Sequence, residues 1–587
     1  MRLASPMALK PHADRFSFHS RLAYWGLTAL LILLVAACSE RPAVTVDGSS
    51  TAWFSEEAAS RGITFRHQTG FAGRHLLPEI VGSGAALVDV DGDGDLDAYF
   101  VQSGTLYDLE QGHEQPANRL YINQGDGRFE EAKGAHGAND RGYGMGVAVG
   151  DYDNDGDIDL FVTNVGPNAL FRNDGRGHFE NVSAQAGLDD PGWGTAAVFV
   201  DLDGDRDLDL FHANYINWSP VTELQCFISG VPTYCPPQNY QSSAVDRLFR
   251  NNGDGSFSDI SLEVGLNRAF GNGFGVVTGD FDHDGNTDVF VANDMMVNQL
   301  WLNRGSFQFD EEAMLRGVAV DEYGVAKAGM GVASGDVDDD GDIDLLVVNL
   351  QGQTDSFFRN EGTYFADATS ALGLASPSRR YTRWGVVLAD FDNDGQLDLY
   401  EANGRVDPST AYTSDLRAEP NVLFRGTSNG RFVEINPKGG TREPLIHSSR
   451  GTAVGDIDND GGLDLLVVNR DGPAYLLMNR LSERGNWIRF KVLLREGRDA
   501  HGALVTAIVG SKKLTRRVQP EGSYLDSNDP RVHFGLSTQS RIRDIEVLWP
   551  SGKTEAFGDF EAGRTVYLRE GEGTILRSID ALKQVTP

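Results

Sequence analysis

Between residues 52 and 480 the chain alternates short apolar runs with tight clusters of Asp, Asn and Gly. A Gly- and Val-rich run such as Gly144-Met-Gly-Val-Ala-Val-Gly150 precedes each acidic cluster, and a run such as Leu160-Phe-Val-Thr-Asn164 or Leu465-Leu-Val-Val-Asn469 follows it. Runs this short, β-branched and bounded by turn residues predict strands. A third element, typified by Leu170 to Phe179 with Asn173-Asp-Gly175 at its centre, predicts a hairpin. The unit is therefore strand, acidic loop, strand, hairpin, strand, which is the content of one propeller blade.

The unit occurs seven times, and the ends of the array bear on its shape. Six copies finish with a piece such as Phe179-Glu-Asn-Val-Ser-Ala-Gln-Ala-Gly-Leu188, and the seventh has none after it. The missing piece, Phe54 to Ile63, stands before the first loop. An array whose first fragment completes its last unit suits a closed ring, which removes the exposed edges of an open stack. The expected fold is all-β: a seven-bladed propeller over 52–480, with residues 54–63 closing the last blade and an insert at 215–245.

Each acidic cluster reads Asp-x-Asp-x-Asp-Gly-x-x-Asp. Position 1 is Asp89, Asp151, Asp201, Asp280, Asp336, Asp390 and Asp456; position 3 is Asp91, Asp153, Asp203, Asp282, Asp338, Asp392 and Asp458. Position 5 is Asp93, Asp155, Asp205, Asp284, Asp340, Asp394 and Asp460; position 9 is Asp97, Asp159, Asp209, Asp288, Asp344, Asp398 and Asp464. Position 7 varies among Asp95, Asp157, Asp207, Asn286, Asp342, Gln396 and Gly462, as expected where a backbone carbonyl is the ligand. Converging oxygens around a Gly turn suit calcium, a hard cation that takes six to eight of them. Two carboxylates about 4 Å apart repel by about 4 kcal/mol at an effective dielectric near 20, so the group needs a divalent ion or a proton. Up to seven calcium ions are expected, in a mainly structural role. The third loop has Arg206 where Gly is expected and is the weakest of the seven on this reading; Gly204 could shift its turn.

The unit resembles the FG-GAP/VCBS repeats of integrin α-chain propellers and of many bacterial surface proteins, in which the loops bind calcium structurally. From Asn486 the repeat gives way to alternating runs, Trp487 to Leu494, Leu504 to Val509 and Ile545 to Trp549, which predict a small all-β domain over 486–572 with a tail at 573–587. Arg498-Asp-Ala-His-Gly-Ala503, His533-Phe-Gly-Leu536 and Trp549-Pro-Ser-Gly552 resemble the ASPIC/UnbV domain, with His501 departing from the apolar residue expected there. Propeller plus this domain resembles the cartilage acidic protein-like family, including its bacterial members, which implies surface location, calcium binding and adhesion or matrix roles, and supplies no reaction.

Composition narrows the partners. With 85 acidic against 51 basic residues the formal charge is -34, which argues against nucleic acid. Arg2, Lys10, Arg15 and Arg21 precede an apolar run from Leu27 to Val35 that ends at Cys38, the pattern of a signal peptide over 1–37. Val-Ala-Ala before Cys38 resembles a bacterial lipobox, so Cys38 is the expected lipidation site, followed by a linker at 38–51. The expected location is a membrane-anchored lipoprotein, periplasmic or at the cell surface, with the outer membrane favoured. Cys226 and Cys235 then remain in one Pro-rich segment, and export makes a local disulfide the economical reading.

His-Glu-x-x-His and P-loop signatures are missing from the sequence. His283 falls at a non-ligand place in the fourth loop, and His533 reads as a packed β residue. The basic stretch Lys512, Lys513, Arg516 and Arg517 reads as a solvated strand face. Six residues before each loop stand Ser83, Met145, Thr195, Phe274, Met330, Trp384 and Arg450. Met145, Phe274, Met330, Trp384 and Arg450 are a candidate ligand face at one end of the central channel. The expected function is a calcium-binding surface scaffold for a protein or glycan, with membrane contact through the lipid only. The alternatives are an exported propeller enzyme acting on polysaccharide and an assembly factor for another exported protein.

Overall fold

The computed structural model describes residues 52–106, 115–188, 190–409 and 412–577. The expected signal peptide, Cys38, its linker and residues 578–587 lie outside the described residues.

Seven four-stranded antiparallel sheets follow one another along the chain. Blade 1 is Ala85–Val88, Asp97–Phe100, Arg119–Asn123 and Phe129–Glu131; blade 4, with the same order, is Gly273–Gly279, Asp288–Asn293, Gln299–Asn303 and Phe309–Glu311. Blade 7 takes three strands from the end of the array, Ser449–Gly455, Asp464–Asn469 and Tyr475–Asn479. Its fourth, Phe54–Glu56, comes from the beginning, with Phe54 opposite Asn479. Each blade's first strand contacts that of the next blade, and Ser449–Gly455 contacts Ala85–Val88, so the ring is closed. The first strands come together because glycines face their neighbours there: a Cβ on Gly331 would lie 2.1 Å from the Trp384 carbonyl oxygen, and one on Gly385 2.5 Å from that of Arg450.

In this strand order the acidic loops, between strands one and two, share one face with the hairpins between strands three and four. The links between strands two and three, and between blades, emerge on the far face. The insert is such a link, joining Asp209–Asn214 to Arg247–Asn251 in blade 3. It folds as a hairpin, Cys226–Ile228 against Val231–Thr233, closed by the Cys226–Cys235 disulfide. Glu223 fixes its base by accepting from Trp218 Nε1 (2.8 Å) and from the backbone N–H of Leu77 (2.9 Å). Leu77 adjoins the helical turn Pro78–Val81, which packs into the core at the far mouth of the channel.

The C-terminal domain forms a three-stranded sheet (Val532–Ser537, Asn486–Leu493, Thr565–Arg569) against a five-stranded one that ends in Thr574–Arg577. Its core holds Ile488, Phe490, Val505, Phe534 and Trp549. The last strand carries the domain past the expected boundary at 572, because Glu555 and Ala556 pair with Ile575 and Thr574.

This domain also fills the propeller. Its segment Glu521–Asp529 enters the channel and hydrogen-bonds the innermost strands as an added strand would. Ser523 exchanges both backbone bonds with Val332 (2.8 and 2.9 Å), and Leu525 O accepts from Val147 N (3.2 Å). Ser527 bonds Ala85 and Leu87 in the same way (3.0 and 3.1 Å). Asp526 accepts from the N–H groups of Ala85 (2.7 Å) and Thr452 (2.6 Å), joining blades 1 and 7 through one carboxylate. Tyr524 is fully buried, with its ring 5.5 Å from that of Phe274 and 5.2 Å from that of Trp384.

The candidate ligand face is therefore core. Met145, Phe274, Met330, Trp384 and Arg450 are at most 2% exposed. Arg450 stacks 4.0 Å from the Trp384 ring and donates to Ile80 O from Nε and Nη2 (2.9 and 2.8 Å). The channel segment closes these residues off from one side and the Pro78–Val81 turn from the other. Truncating the central plug removes a fully buried ring and leaves a cavity. Tyr524→Ala is expected to lower unfolding free energy by about 3–5 kcal/mol, read from denaturant midpoints.

Candidate metal centres

Each acidic loop is built the same way, and its backbone explains the sequence. Position 4 is left-handed in all seven copies: Gly92, Asn154, Gly204, His283, Asp339, Asn393 and Asn459 have φ between 56° and 81°. Position 6 is left-handed as well, with φ from 80° at Arg206 to 99° at Gly341. Gly, Asn and Asp are the residues that adopt this region at least cost. At position 1, the carboxylate caps the turn: Asp151 accepts from Asp155 N (3.1 Å) and Gly156 N (2.9 Å). At position 5, every side chain accepts from the N–H of position 7, as Asp93 does from Asp95 (2.9 Å).

The geometry brings the carboxylates of positions 1, 3 and 9 together. Oxygens of Asp89, Asp91 and Asp97 lie within 4.8 Å of one another, and so do those of the same positions in loops 2, 3 and 4; in loop 5 the group is Asp336, Asp338 and Asp340. These clusters could hold a divalent ion. At position 7, the side chains of Asp95, Asp207 and Asp342 meet the adjacent loop instead. Asn459 of loop 7 donates to Asp95 of loop 1 (2.6 Å), and Asn154 of loop 2 to Asp207 of loop 3 (2.7 Å). His283 of loop 4 lies 3.0 Å from Asp342 of loop 5, so its place in the turn also serves a contact between blades.

The position 9 carboxylate is below 2% exposure in every copy. One oxygen of Asp97 accepts from Val90 N (3.0 Å) and the other from Asn123 N (2.8 Å). The same pair of bonds recurs at Asp159, Asp209, Asp288, Asp344, Asp398 and Asp464. These N–H groups favour the anion, but burial outweighs them. Burial pushes the Asp97, Asp209, Asp288 and Asp344 carboxyls up to about 8, and Asp159, Asp398 and Asp464 well above the usual range. A buried cluster of this kind takes up protons unless a cation replaces them.

Reading the hairpins as turns alone missed a second use of their Asn residues. Asn123 Nδ2 donates to Leu96 O in its own blade (3.1 Å) and to Ile457 O in loop 7 (2.9 Å), stapling blade 1 to blade 7. Asn173, Asn251, Asn303, Asn360 and Asn479 make the corresponding bond to position 2 of the preceding loop, at 2.7 to 3.1 Å. Blade 6 has Gly426 at this place, which keeps only the backbone bond to Asp398. The one available signal was the recurrence of Asn ahead of the hairpin Gly, a residue the turn itself does not require.

Arg206 keeps the loop intact and does not shift its turn. Its backbone adopts φ 80°, and its N–H still donates to Asp201 (3.1 Å). A Cβ at the equivalent Gly94, Gly156, Gly285 or Gly341 meets nothing within 4 Å, so a side chain strains the backbone without a clash. Its guanidinium pairs with Glu496 (3.1 Å) and Glu570 (3.0 Å) of the C-terminal domain.

That domain lies over the loops. Arg531 donates to Gly94 O (2.9 Å) and Arg498 to Arg206 O (2.5 Å), both at position 6. Lys512 pairs with Asp339 (2.8 Å), and Arg489 with Asp456 (3.0 Å) where both side chains are buried. Arg517 donates to Thr278 O (2.7 Å) and pairs with Glu521 (2.8 Å). Three of the four basic residues from 512 to 517 thus bond loops or channel segment, Arg516 reaching Gly395 O at 3.5 Å, and they are not a solvated face. His533 faces Asn393 Oδ1 through Nε2 (2.8 Å), and burial lowers it to about 3, so it is neutral.

Repeated loops of this geometry under a separate β-domain define an FG-GAP-repeat protein. The FG-GAP-like repeat model matches residues 89–162, 151–212, 238–291, 280–347 and 336–401, and the ASPIC and UnbV model matches 494–575. The chain fits the family of cartilage acidic protein 1. It is 30% identical to that protein of Xenopus tropicalis over 319 residues, 50% of this chain and 44% of the relative. Against the Homo sapiens protein it is 32% identical over 309 residues, 50% of this chain and 43% of the relative. The match thus spans less than half the length of these curated relatives. Among solved structures, an Agrocybe aegerita lectin recognising non-reducing terminal N-acetylglucosamine is 14% identical with a TM-score of 0.36, over 70% of this chain and 90% of that one. A Bacillus licheniformis rhamnogalacturonan lyase is 14% identical with a TM-score of 0.34, over 73% of this chain and 75% of that one. At such scores neither likeness carries an argument.

Asn123→Ala removes one staple between blades 1 and 7 and leaves the Ile457 carbonyl without this partner. A loss of about 1–3 kcal/mol is expected in denaturant unfolding.

Proposed function

We propose that this chain is an exported, lipid-anchored propeller that carries up to seven structural calcium ions and serves as a binding scaffold for a protein or glycan. The observation that supports it most is the division of the molecule into two unlike faces. On one face the carboxylates are committed to loops, staples and the C-terminal domain. The far face carries exposed apolar and aromatic side chains on its links: Phe71, Phe227, Ile228, Val231, Phe270 and Tyr323. Apolar groups gathered on one face, rimmed by polar ones, are characteristic of interaction surfaces.

Phe54, opposite Asn479, enters blade 7 at the loop face, so the far face is directed away from the point where the chain begins its fold. Calcium at positions 1, 3, 5 and 9, with the position 7 carbonyl, supplies the positive charge that the buried aspartates require. The ion then stiffens the same loops that the Asn staples join.

Calcium binding is expected to show in both stoichiometry and stability. Metal analysis of protein truncated before Cys38 should give six or seven ions, and melting temperature should rise strongly with calcium. The position 9 carboxyls are raised in the fold, so their neutral forms stabilise the metal-free protein fully below the ordinary carboxyl range. That contribution is lost as pH rises through about 8. The melting difference between calcium-loaded and chelated samples should therefore widen from pH 5 to pH 8. A difference independent of pH, or little bound calcium, would overturn the assignment.

A further inference from the structure

Besides the loops, the described residues form several cavities. Three lie at the seam between propeller and C-terminal domain, where Arg516, Arg489 and Arg498 reach across to the loops. A fourth cleft, of about 270 Å³, opens on the far face between the blade 4 to blade 5 link and the edge of blade 5. Its walls carry Asp321, Tyr323, Lys327, Thr354, Asp367 and Arg379.

The cleft is built with care at its base and left open at its rim. Lys327 Nζ donates to Thr354 Oγ1 (2.9 Å), Ser356 Oγ (3.0 Å) and Asp355 O (3.3 Å), three acceptors for three N–H bonds. This ammonium shapes the floor and has no donor left for a ligand. Asp321 Oδ1 accepts from Tyr323 N (3.0 Å) and Val325 N (2.9 Å), which fixes the link and holds Tyr323 out at 78% exposure. Asp321 Oδ2 stays 3.8 Å from Lys327, beyond hydrogen-bond reach. Asp367 Oδ1 accepts from Thr369 N (2.9 Å). Each aspartate thus commits one oxygen to the fold and keeps the other, and Arg379 adds donors from the blade 5 to blade 6 link.

We propose that this cleft is a subsite for one sugar ring of a neutral glycan. The walls combine both signs of charge with hydroxyl groups, so a strongly ionic ligand gains little there. A sugar ring offers vicinal hydroxyls to the free carboxylate oxygens and to Arg379, and an apolar C–H face to the exposed Tyr323 ring, a side chain with an apolar body and a polar tip. The cleft lies on the face directed away from the loops and the C-terminal domain. The inference rests on the scaffold reading above and narrows its ligand to a glycan at a stated place.

The test uses calcium-loaded protein and a panel of neutral oligosaccharides of the cello-, xylo-, manno-, galacto- and chito- series. Saturation-transfer NMR detects binding and calorimetry gives affinities for wild type, Tyr323→Ala and Arg379→Ala. Both variants alter exposed side chains and should melt as wild type does; Leu315→Ser, exposed on the outer side of blade 4, is the control. At least one series should bind, and each cleft variant should weaken it at least about tenfold while the control leaves it unchanged. Absence of saturation transfer for every series at about 10 mM sugar would overturn the subsite, as would binding unaffected by Tyr323→Ala. Either result leaves the calcium scaffold standing if ions and thermal shift are present; loss of those overturns the scaffold itself.

Discussion

The structure depends on the buried carboxylate at position 9 of each acidic loop. It closes its own loop through the N–H of position 2 and grips the third strand of its blade through a second N–H. The residue supplying that second N–H is, in six blades, the Asn whose side chain reaches the preceding loop. Candidate metal ligand, blade closure and contact between blades therefore run through the same few atoms. This accounts for Asp at position 9 in every copy: Asn could accept on one side only, and Glu would push the strand away. A ring of small units, each unable to bury its faces alone, gains cooperativity from such shared links.

The C-terminal domain is a working part of that ring. Its channel segment supplies backbone bonds to inner strands that would otherwise face an empty channel, and Asp526 bridges the innermost strands of blades 1 and 7. Its arginines read the loops through carbonyl oxygens at position 6, which point outward because that residue is left-handed. A loop that lost its shape would lose these partners. Loop geometry and domain seating are thus coupled through contacts that can be named, and the channel is unavailable to a ligand while the segment occupies it.

Much of this was legible in the sequence, because repetition multiplies a weak local signal. Strands, acidic loops and the strand returned from the beginning of the array all follow from one unit seen seven times. What stayed hidden depends on contacts between distant segments. Met145, Phe274 and Trp384 looked like a channel lining because Tyr524, their partner, comes from a loop with no periodic pattern. Arg206 looked like a broken site because the sequence does not reveal that position 6 faces open space in loops 1, 2, 4 and 5. Arg516 and Arg517 looked solvated because a strand edge and an interface have the same composition. Among the functional residues, the Asn staples could have been found from the sequence, had their recurrence been weighed apart from the turn.

Backbone hydrogen exchange, followed in calcium and after chelation, reads the coupling between loops and channel segment directly. Removing calcium is expected to expose the N–H groups of position 2, such as Val90 and Tyr152, and the amides of Ser523 and Ser527 should lose protection with them. Protection of the channel segment that survives the opening of the loops would contradict the coupling. Loops whose exchange ignores calcium altogether would contradict the metal assignment on which the coupling is built.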